Sequence, residues 1–228
     1  MKKAGIVGGL GAESTLEYYR QIVYRYHEEA GCFPQIVIDS VDLDRSTALL
    51  TRRAFDEYVG FLLRAVRNVA KAGADFGVIA SNTPHIVFEP LKDQSPIPLI
   101  SIVEETLKAV RLSGQRKVGL LGTKFTMDAD FYKNLFKKDQ IEIIVPDEVD
   151  RQFIQKKIFE ELEYGIVRAE TKERFLAIIN KMEENDHVQA VILGCTELPL
   201  IIKKDDTELP LFDTAKIHID SILKKMES

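Results

Sequence analysis

Two short stretches of this chain put a proton-bearing side chain at the same point of one pattern. Residues 80–85 read Ala-Ser-Asn-Thr-Pro-His, and residues 194–199 read Gly-Cys-Thr-Glu-Leu-Pro. Each follows an apolar run, Phe-Gly-Val-Ile in the first case and Ala-Val-Ile-Leu in the second. A side chain just past such a strand stands where parallel α/β sheets hold their ligands. Ser81 and Cys195 are therefore the candidate catalytic pair. Facing one carbon from opposite sides, they could invert a stereocentre beside a carboxylate. One group would take a proton from one face, and the other would deliver a proton to the second face.

The neighbours of this pair support that chemistry. A lone cysteine is usually a small buried residue with no reactivity. Cys195 is preceded by Gly194, followed by Thr196 and Glu197, and ends a predicted buried strand. Backbone N–H groups beyond it are open to an anion, a setting that lowers a thiol pKa from its usual ~8.5. Cys32 lies in a loop before Pro34 and reads as inert. Asn82, Thr83 and Thr196 offer donors for a substrate carboxylate. Such residues also serve turns and caps, and one loop can do both. His85 follows Ser81 by four residues, and it suits an orienting role or a packing role equally. His218 reads as structural.

The elements that must hold these residues are legible as alternating patterns. Apolar runs of strand length occur at 4–8, 35–39, 76–80, 98–102, 117–121, 141–145, 189–193 and 209–212. Helical periods occupy 14–30, 55–72, 102–112, 128–138, 149–164, 171–184 and 214–226. Ser14 and Thr15 stand as N-caps of the first. In the second, Phe55, Tyr58, Val59, Leu62, Leu63, Val66 and Val69 share one face. The alternation predicts α/β architecture with mostly parallel sheets flanked by helices.

An internal repeat organises the whole. Ile-Val-Gly-Gly at 6–9 matches Leu-Leu-Gly-Thr at 120–123, and Ile-Ala-Ser-Asn at 79–82 matches Leu-Gly-Cys-Thr at 193–196, both at an offset of 114. Pro-Leu-Ile-Ser at 98–101 matches Pro-Leu-Phe-Asp at 210–213, at an offset of 112. Three ordered matches at nearly one spacing make Ser81 and Cys195 counterparts in two similar halves. The expected domains are residues 1–98 plus 209–228, and 99–208. They form a pseudo-symmetric pair with the active site in the cleft between them. The two Pro-Leu segments are the crossings.

Several function classes are excluded by what the chain lacks. With 45% apolar and 29% charged residues, its 228 residues can build a core without disulfides or metal. A net charge of −5 without a block of like charges gives no nucleic-acid footprint. No apolar run approaches the ~20 residues of a membrane span. The start, Met-Lys-Lys-Ala-Gly-Ile-Val-Gly-Gly, reads as a first strand rather than a signal peptide. Two cysteines suggest no disulfide framework and a reducing cytoplasm. His27, His85, His187 and His218 show no metal-ligand spacing, so no metal is expected. The glycines at 8, 9 and 11 do not complete a dinucleotide loop, because Ser14 stands where G-x-G-x-x-G needs glycine, and Asp39 lies well beyond the expected ~20 residues. They read instead as allowing close approach of a ligand to the backbone.

Taken together, Gly-Ile-Val-Gly-Gly-Leu-Gly-Ala-Glu-Ser-Thr at 5–15, Asn-Thr-Pro-His at 82–85, the stretch 120–132, the Glu-Glu-Leu-x-Tyr-Gly segment ending at Gly165, 191–200 and 210–218 resemble the aspartate/glutamate racemase superfamily, most of all its aspartate racemase branch. The resemblance runs over almost the whole chain. It implies two pseudo-symmetric α/β domains, no cofactor, and a pair of cysteines acting as acid and base. Cys195 matches the second of these, and Ser81 stands where the first would be. Asn82 and Thr83 match residues that bind the substrate carboxylate. Asp44, Arg45 and Ser46 match a substrate-contacting Asp-Arg-Thr/Ser stretch, where a guanidinium grips a carboxylate. Thr123 and Thr126 line the corresponding loop of the second half, as Gly9 does in the first. Glu163 stands where some aspartate racemases carry a lysine for the substrate's side chain. Family members are often homodimers, though the sequence itself defines no interface.

A cofactor-independent racemase acting on an aspartate- or glutamate-type amino acid is thus the expected activity. A serine is a far weaker acid than a thiol and a poor unassisted base, so the two faces should be unequal. A decarboxylase or other isomerase using one cysteine, and a carboxylate-binding protein without turnover, are the alternatives.

Overall fold

A computed structural model describes all 228 residues. The chain divides into two compact units, Met1–Ile102 with His218–Ser228, and Val103–Ile217.

In chain order the first unit holds β1 (Ala4–Gly8), α1 (Ala12–Ala30), β2 (Ile36–Ser40), α2 (Leu43–Thr51), α3 (Phe55–Lys71), β3 (Phe76–Ile79), α4 (Phe88–Gln94) and β4 (Leu99–Ile100). Its sheet is parallel throughout, in the order β2-β1-β3-β4. The two central strands, β1 and β3, are buried along their whole length, as a sheet covered on both faces requires. Helix α3 lies close on β1: a Cβ on Gly5 would meet Val69 Cγ2 at 2.8 Å and Ala74 Cβ at 2.9 Å. Its apolar stripe buries Tyr58, Leu62, Val66 and Val69, as its period predicts.

The second unit contains most of α5 (Ile102–Ser113), then β5 (Lys117–Gly122), α6 (Lys124–Asp128), α7 (Phe131–Lys137), β6 (Glu142–Ile144), α8 (Glu148–Glu160), α9 (Ala169–Asp186), β7 (Ala190–Gly194), α10 (Leu198–Ile201) and β8 (Leu211–Asp213). Its parallel sheet runs β6-β5-β7-β8. This is the order of the first sheet, so the repeat read from sequence is a repeat of topology. The core joins Leu121, Ile154, Ile158, Leu162, Phe175 and Leu198, with Cys195 among them. The last helix, α11 (Thr214–Glu227), returns the chain to the first unit at His218. There His218 is buried between the Tyr18 hydroxyl, 2.9 Å from Nδ1, and the Ile100 carbonyl, 3.1 Å from Nε2. No helix is long and apolar enough to cross a membrane.

The structure differs from the sequence expectations at four places. The strand near 209–212 belongs to the second unit, since β8 pairs with β7, and β4 pairs with β3 in the first. The crossings thus fall after the Pro-Leu strands, at Ile102 and within α11, rather than at 98/99 and 208/209. Each edge strand stays beside the strand it follows because its ladder bonds are there. Ser14 and Thr15 do not cap α1, which starts at Ala12 with Gly11 at the N-cap. The expected helix at 128–138 is two helices, because Thr123 caps an earlier start and Ala129 is extended. The short helices α2, α4 and α10 carry too few turns for a periodic signal.

Candidate active site

In both units the sheet register brings the candidate side chains to the same point. Val7 pairs with Ile79 on β3, and the Ala80 N–H continues the ladder to the Val7 carbonyl at 3.0 Å. In the second unit Leu121 pairs with Leu193 and Gly122 with Gly194. Ser81 and Cys195 therefore leave the carboxyl ends of β3 and β7 at equivalent steps, each beside the loop that follows the neighbouring central strand. That is the edge where parallel sheets bind ligands.

The glycines at these strand ends serve close packing of the protein upon itself. A Cβ on Gly8 would meet Thr15 Cγ2 at 2.5 Å, and one on Gly9, whose φ is +78°, would meet the Val41 carbonyl at 2.4 Å. Thr15 Oγ1 accepts from the Gly9 N–H at 2.8 Å and donates to the Gly11 carbonyl at 2.9 Å. Ser14 Oγ donates to the Ala80 carbonyl at 2.7 Å, tying α1 to the residue before Ser81. These contacts give Gly8 and Gly9 a packing reason for carrying no side chain.

Cys195 is buried, with 7% of its surface exposed. Its Sγ–H donates to Glu197 Oε2 at 2.9 Å, and the Thr196 hydroxyl donates to the same oxygen at 2.9 Å. Glu197 is itself 4% exposed. Burial pushes the thiol well above its ordinary range, and the negative charge of Glu197 and its hydrogen bond push it further. The backbone N–H of Glu197 pulls the other way and is outweighed. The expectation of a lowered thiol pKa is thereby corrected: the resting group is a thiol whose proton is already directed at a carboxylate. Glu163 adds to the same field. It stands on a 3-10 turn, Leu162–Tyr164, closed by Gly165 at φ 68°. Burial, and then the charge of Glu197, push its carboxyl up to about 7.

Ser81 is half-buried, and its carbonyl accepts from His85 Nδ1–H at 3.0 Å. The other ring nitrogen, Nε2, accepts from the Ile102 N–H at 3.3 Å. The amide can only donate, so this pair of bonds fixes the tautomer. His85 is buried and stacked on Phe88, with ring centroids 4.8 Å apart. Burial pushes its pKa down to about 3, so the ring is neutral at ordinary pH. The His85 ring thus holds the Ser81 carbonyl at the end of β3. Asn82 is buried at the start of the 3-10 turn Thr83–Val87, with its carbonyl accepting from the His85 N–H at 3.0 Å. Thr83 is half-buried beside it.

The remaining candidates divide. Asp44 and Arg45 are exposed on the first turn of α2, just past the carboxyl end of β2, where Asp42 Oδ1 accepts from the Arg45 N–H at 3.0 Å. The Arg45 guanidinium lies 5.4 Å from the centre of the Phe61 ring. It borders a groove that also has Asp39, Asp42, Arg64 and Asn68 in its wall. Ser46 is a correction: its hydroxyl is buried against the Tyr58 hydroxyl at 2.9 Å and serves the core. Thr126 is another, being fully buried and 3.1 Å from the Thr123 hydroxyl. Thr123 caps α6 by accepting from the Thr126 N–H at 3.2 Å. Glu197 as the thiol's partner was missed from sequence. The signal was its place two residues after Cys195, but a side chain at that spacing meets the thiol only where the chain turns. No group of three or more His, Cys, Asp and Glu side chains is placed to hold a metal ion.

Two parallel four-stranded sheets of one order, with a thiol–carboxylate pair at the end of β7, define an α/β protein of the racemase type. Residues 7–222 match the Asp/Glu/Hydantoin racemase family, and the chain belongs to it. It is 24% identical over 220 residues, 92% of each chain, to the broad specificity amino-acid racemase RacX of Bacillus subtilis. It is 34% identical to a solved aspartate racemase homologue from Pyrococcus horikoshii, with a TM-score of 0.85 over the whole of both chains. The aspartate racemase of Picrophilus torridus shares the fold, with a TM-score of 0.77 over 100% of this chain and 95% of that one at 21% identity.

Proposed function

We propose that this protein is an amino-acid racemase that works without a cofactor, with Cys195 moving the α-proton on one face and Ser81 serving the other. The observation that carries this reading is the buried thiol donating to a buried carboxylate at 2.9 Å. A thiol held above its ordinary pKa is a poor thiolate at rest, but it can pass its proton to Glu197 as substrate arrives. The thiolate then takes the Cα proton, and the carbanion's electron pair is delocalised into the adjacent carboxylate. Ser81 delivers a proton to the opposite face and is reprotonated through water by the proton that Glu197 gives up, which completes inversion and restores the resting thiol, carboxylate and hydroxyl. In the reverse sequence the Ser81 proton passes through water to Glu197, the Ser81 oxygen takes the Cα proton, Cys195 donates to the opposite face, and the Glu197 proton returns to sulfur.

Asn82, Thr83 and Thr196 are proposed to hold the substrate's α-carboxylate, with Asp44, Arg45 and Thr123 as outer contacts. The loops after β2, β3, β5 and β7 present these groups at the carboxyl ends of their strands, which supports the assignment. RacX is named for broad specificity, which supports substrates beyond aspartate and glutamate.

Incubating single enantiomers with the protein in deuterated water tests the reading. Deuterium at Cα together with loss of optical purity is expected. Carbon dioxide release without inversion would instead favour a single-cysteine decarboxylase. Binding with neither outcome would leave a carboxylate-binding protein.

A further inference from the structure

We propose that the open flank of α1, with the edge strand β2 beside it, is the surface through which two copies of this chain pair about a two-fold axis. The proposal concerns assembly and stands apart from the racemase reading. Helix α1 is covered on one flank by α11, where Arg25 pairs with Asp220 and the Tyr18 and His218 rings meet edge to face. Its buried line is Tyr18, Ile22 and Tyr26. Leu16, Tyr19, Val23 and His27 recur at i, i+3, i+7 and i+11, so they form one stripe on the other flank. None of the four is buried. The loop after α1 extends this stripe, because the Phe33 ring stacks on the His27 ring with centroids 4.2 Å apart. Strand β2 is a free edge of its sheet. Ile38 pairs with Ile6, and Ser40 with Gly8. A Cβ on Gly8 would meet Thr15 of α1, so this parity puts Ile38 on the α1 face of the edge. There Ile38 stays partly exposed.

The patch is concentrated and large enough for one specific interface. Leu16 is 60% exposed, Tyr24 and Phe33 61%, and Tyr19 49%. Of the large apolar side chains that the first unit exposes, only Met1 and Phe55 lie outside α1, the loop after it and β2. With Val23 and Ile38, these side chains offer about 500 Å² of apolar surface. A stable interface covers ~800 Å² on each partner, roughly 60–65% of it apolar, which needs that area. Charge decides which partner fits. A two-fold contact sets each patch against its own copy, so a patch of one sign would repel itself. The stripe carries no carboxylate, lysine or arginine. The charges bordering its middle are neutralised within the chain, Arg20 by Glu17 and Arg25 by Asp220. Glu13, Glu28 and Glu29 stand at the helix ends. A partner of opposite charge has nothing to read there, and a second copy meets no repulsion.

Sedimentation equilibrium on the full chain tests this. The wild-type protein should be a dimer at micromolar concentration. Leu16→Ser removes apolar area without adding charge and should raise the dissociation constant about tenfold. Tyr19 stands near the middle of the stripe and so close to the axis. Tyr19→Glu and Tyr19→Lys should each raise the dissociation constant roughly thirtyfold or more. Mixed together, these two variants should form a dimer again, because the glutamate of one copy then faces the lysine of the other. Circular dichroism checks that each variant is folded, and Leu16→Ser decides alone if the charged variants are not. A wild-type monomer at these concentrations overturns the proposal. A dimer that folded Leu16→Ser and Tyr19→Glu leave intact places the contact on another face and overturns it too. Folded charged variants that stay monomeric when mixed would give the patch to a different protein, and that also overturns it.

Discussion

Cys195 has one internal destination for its proton, the Glu197 carboxylate at 2.9 Å. Replacing Cys195 with Ala should therefore abolish Cα deuterium exchange with every substrate, since the other cysteine is the exposed Cys32. Wild-type exchange in Cys195→Ala would place the chemistry elsewhere. Ser81 calls for a different readout. A racemisation equilibrium favours neither enantiomer, so kcat/KM must be equal in the two directions whatever the side chains are. The weakness of a serine base instead shows as exchange that outruns inversion for the enantiomer presenting its α-proton to Cys195. Ser81→Cys should raise the ratio of inversion to exchange, because a thiol titrates near the working range. A variant that folds normally and leaves this ratio unchanged would remove Ser81 from the mechanism. Arg45 is exposed at the start of α2, and its role is read in binding. Arg45→Ala should weaken substrate binding by about 1.5–3 kcal/mol if its guanidinium pairs with a carboxylate. An unchanged KM and kcat/KM would leave the residue to its contact with Phe61.

At the scale of elements, the ends of β5 and β7 set where Cys195 begins. Gly122 and Gly194 are paired across the ladder, and a Cβ on Gly122 would lie 2.8 Å from the Gly194 carbonyl oxygen. That atom is backbone and cannot turn aside. Gly122→Ala should destabilise the protein by about 1–3 kcal/mol, as forced overpacking does, and should lower exchange by moving the residue before Cys195. Urea unfolding followed by circular dichroism measures the first effect. A variant of unchanged stability would mean that the strands can separate at no cost.

For the whole molecule, pH acts through His85 and Glu163 with opposite signs. His85 is lowered from 6.5 to about 3 in the folded state, so the unfolded chain binds the extra proton between those values. Its contribution to stability is complete above pH 6.5 and is lost as pH falls toward 3, by at most about 1.4 kcal/mol per unit. Glu163 is raised from 4.5 to about 7, so its carboxyl contributes stability below pH 4.5 that is lost as pH rises through 7. The half-buried position of Glu163 makes its effect the smaller, because solvent screens it. Stability measured by urea should fall from pH 6.5 to 4, and His85→Gln should lower stability at pH 7 and flatten that decline. A decline of the same slope in His85→Gln would assign the acid sensitivity to other groups.

The sequence by itself determined the two parallel α/β halves and the equivalence of Ser81 and Cys195. Strand-length apolar runs and an offset of 114 are properties of the chain order, and parallel β-α alternation leaves few topologies open to them. The order β2-β1-β3-β4 and its copy β6-β5-β7-β8 follow that repeat. Only the tertiary structure decided which half keeps β4 and β8, because ladder partners lie far along the chain. It also turned Ser46 and Thr126 inward, gave His85 both its backbone partners, and set Glu197 against the Cys195 thiol. The same structure reversed the expected shift of that thiol, since burial and a buried carboxylate outweigh a nearby N–H. A residue's type limits the proton it can carry, but when it gives that proton up depends on how much water and which charges the fold leaves around it.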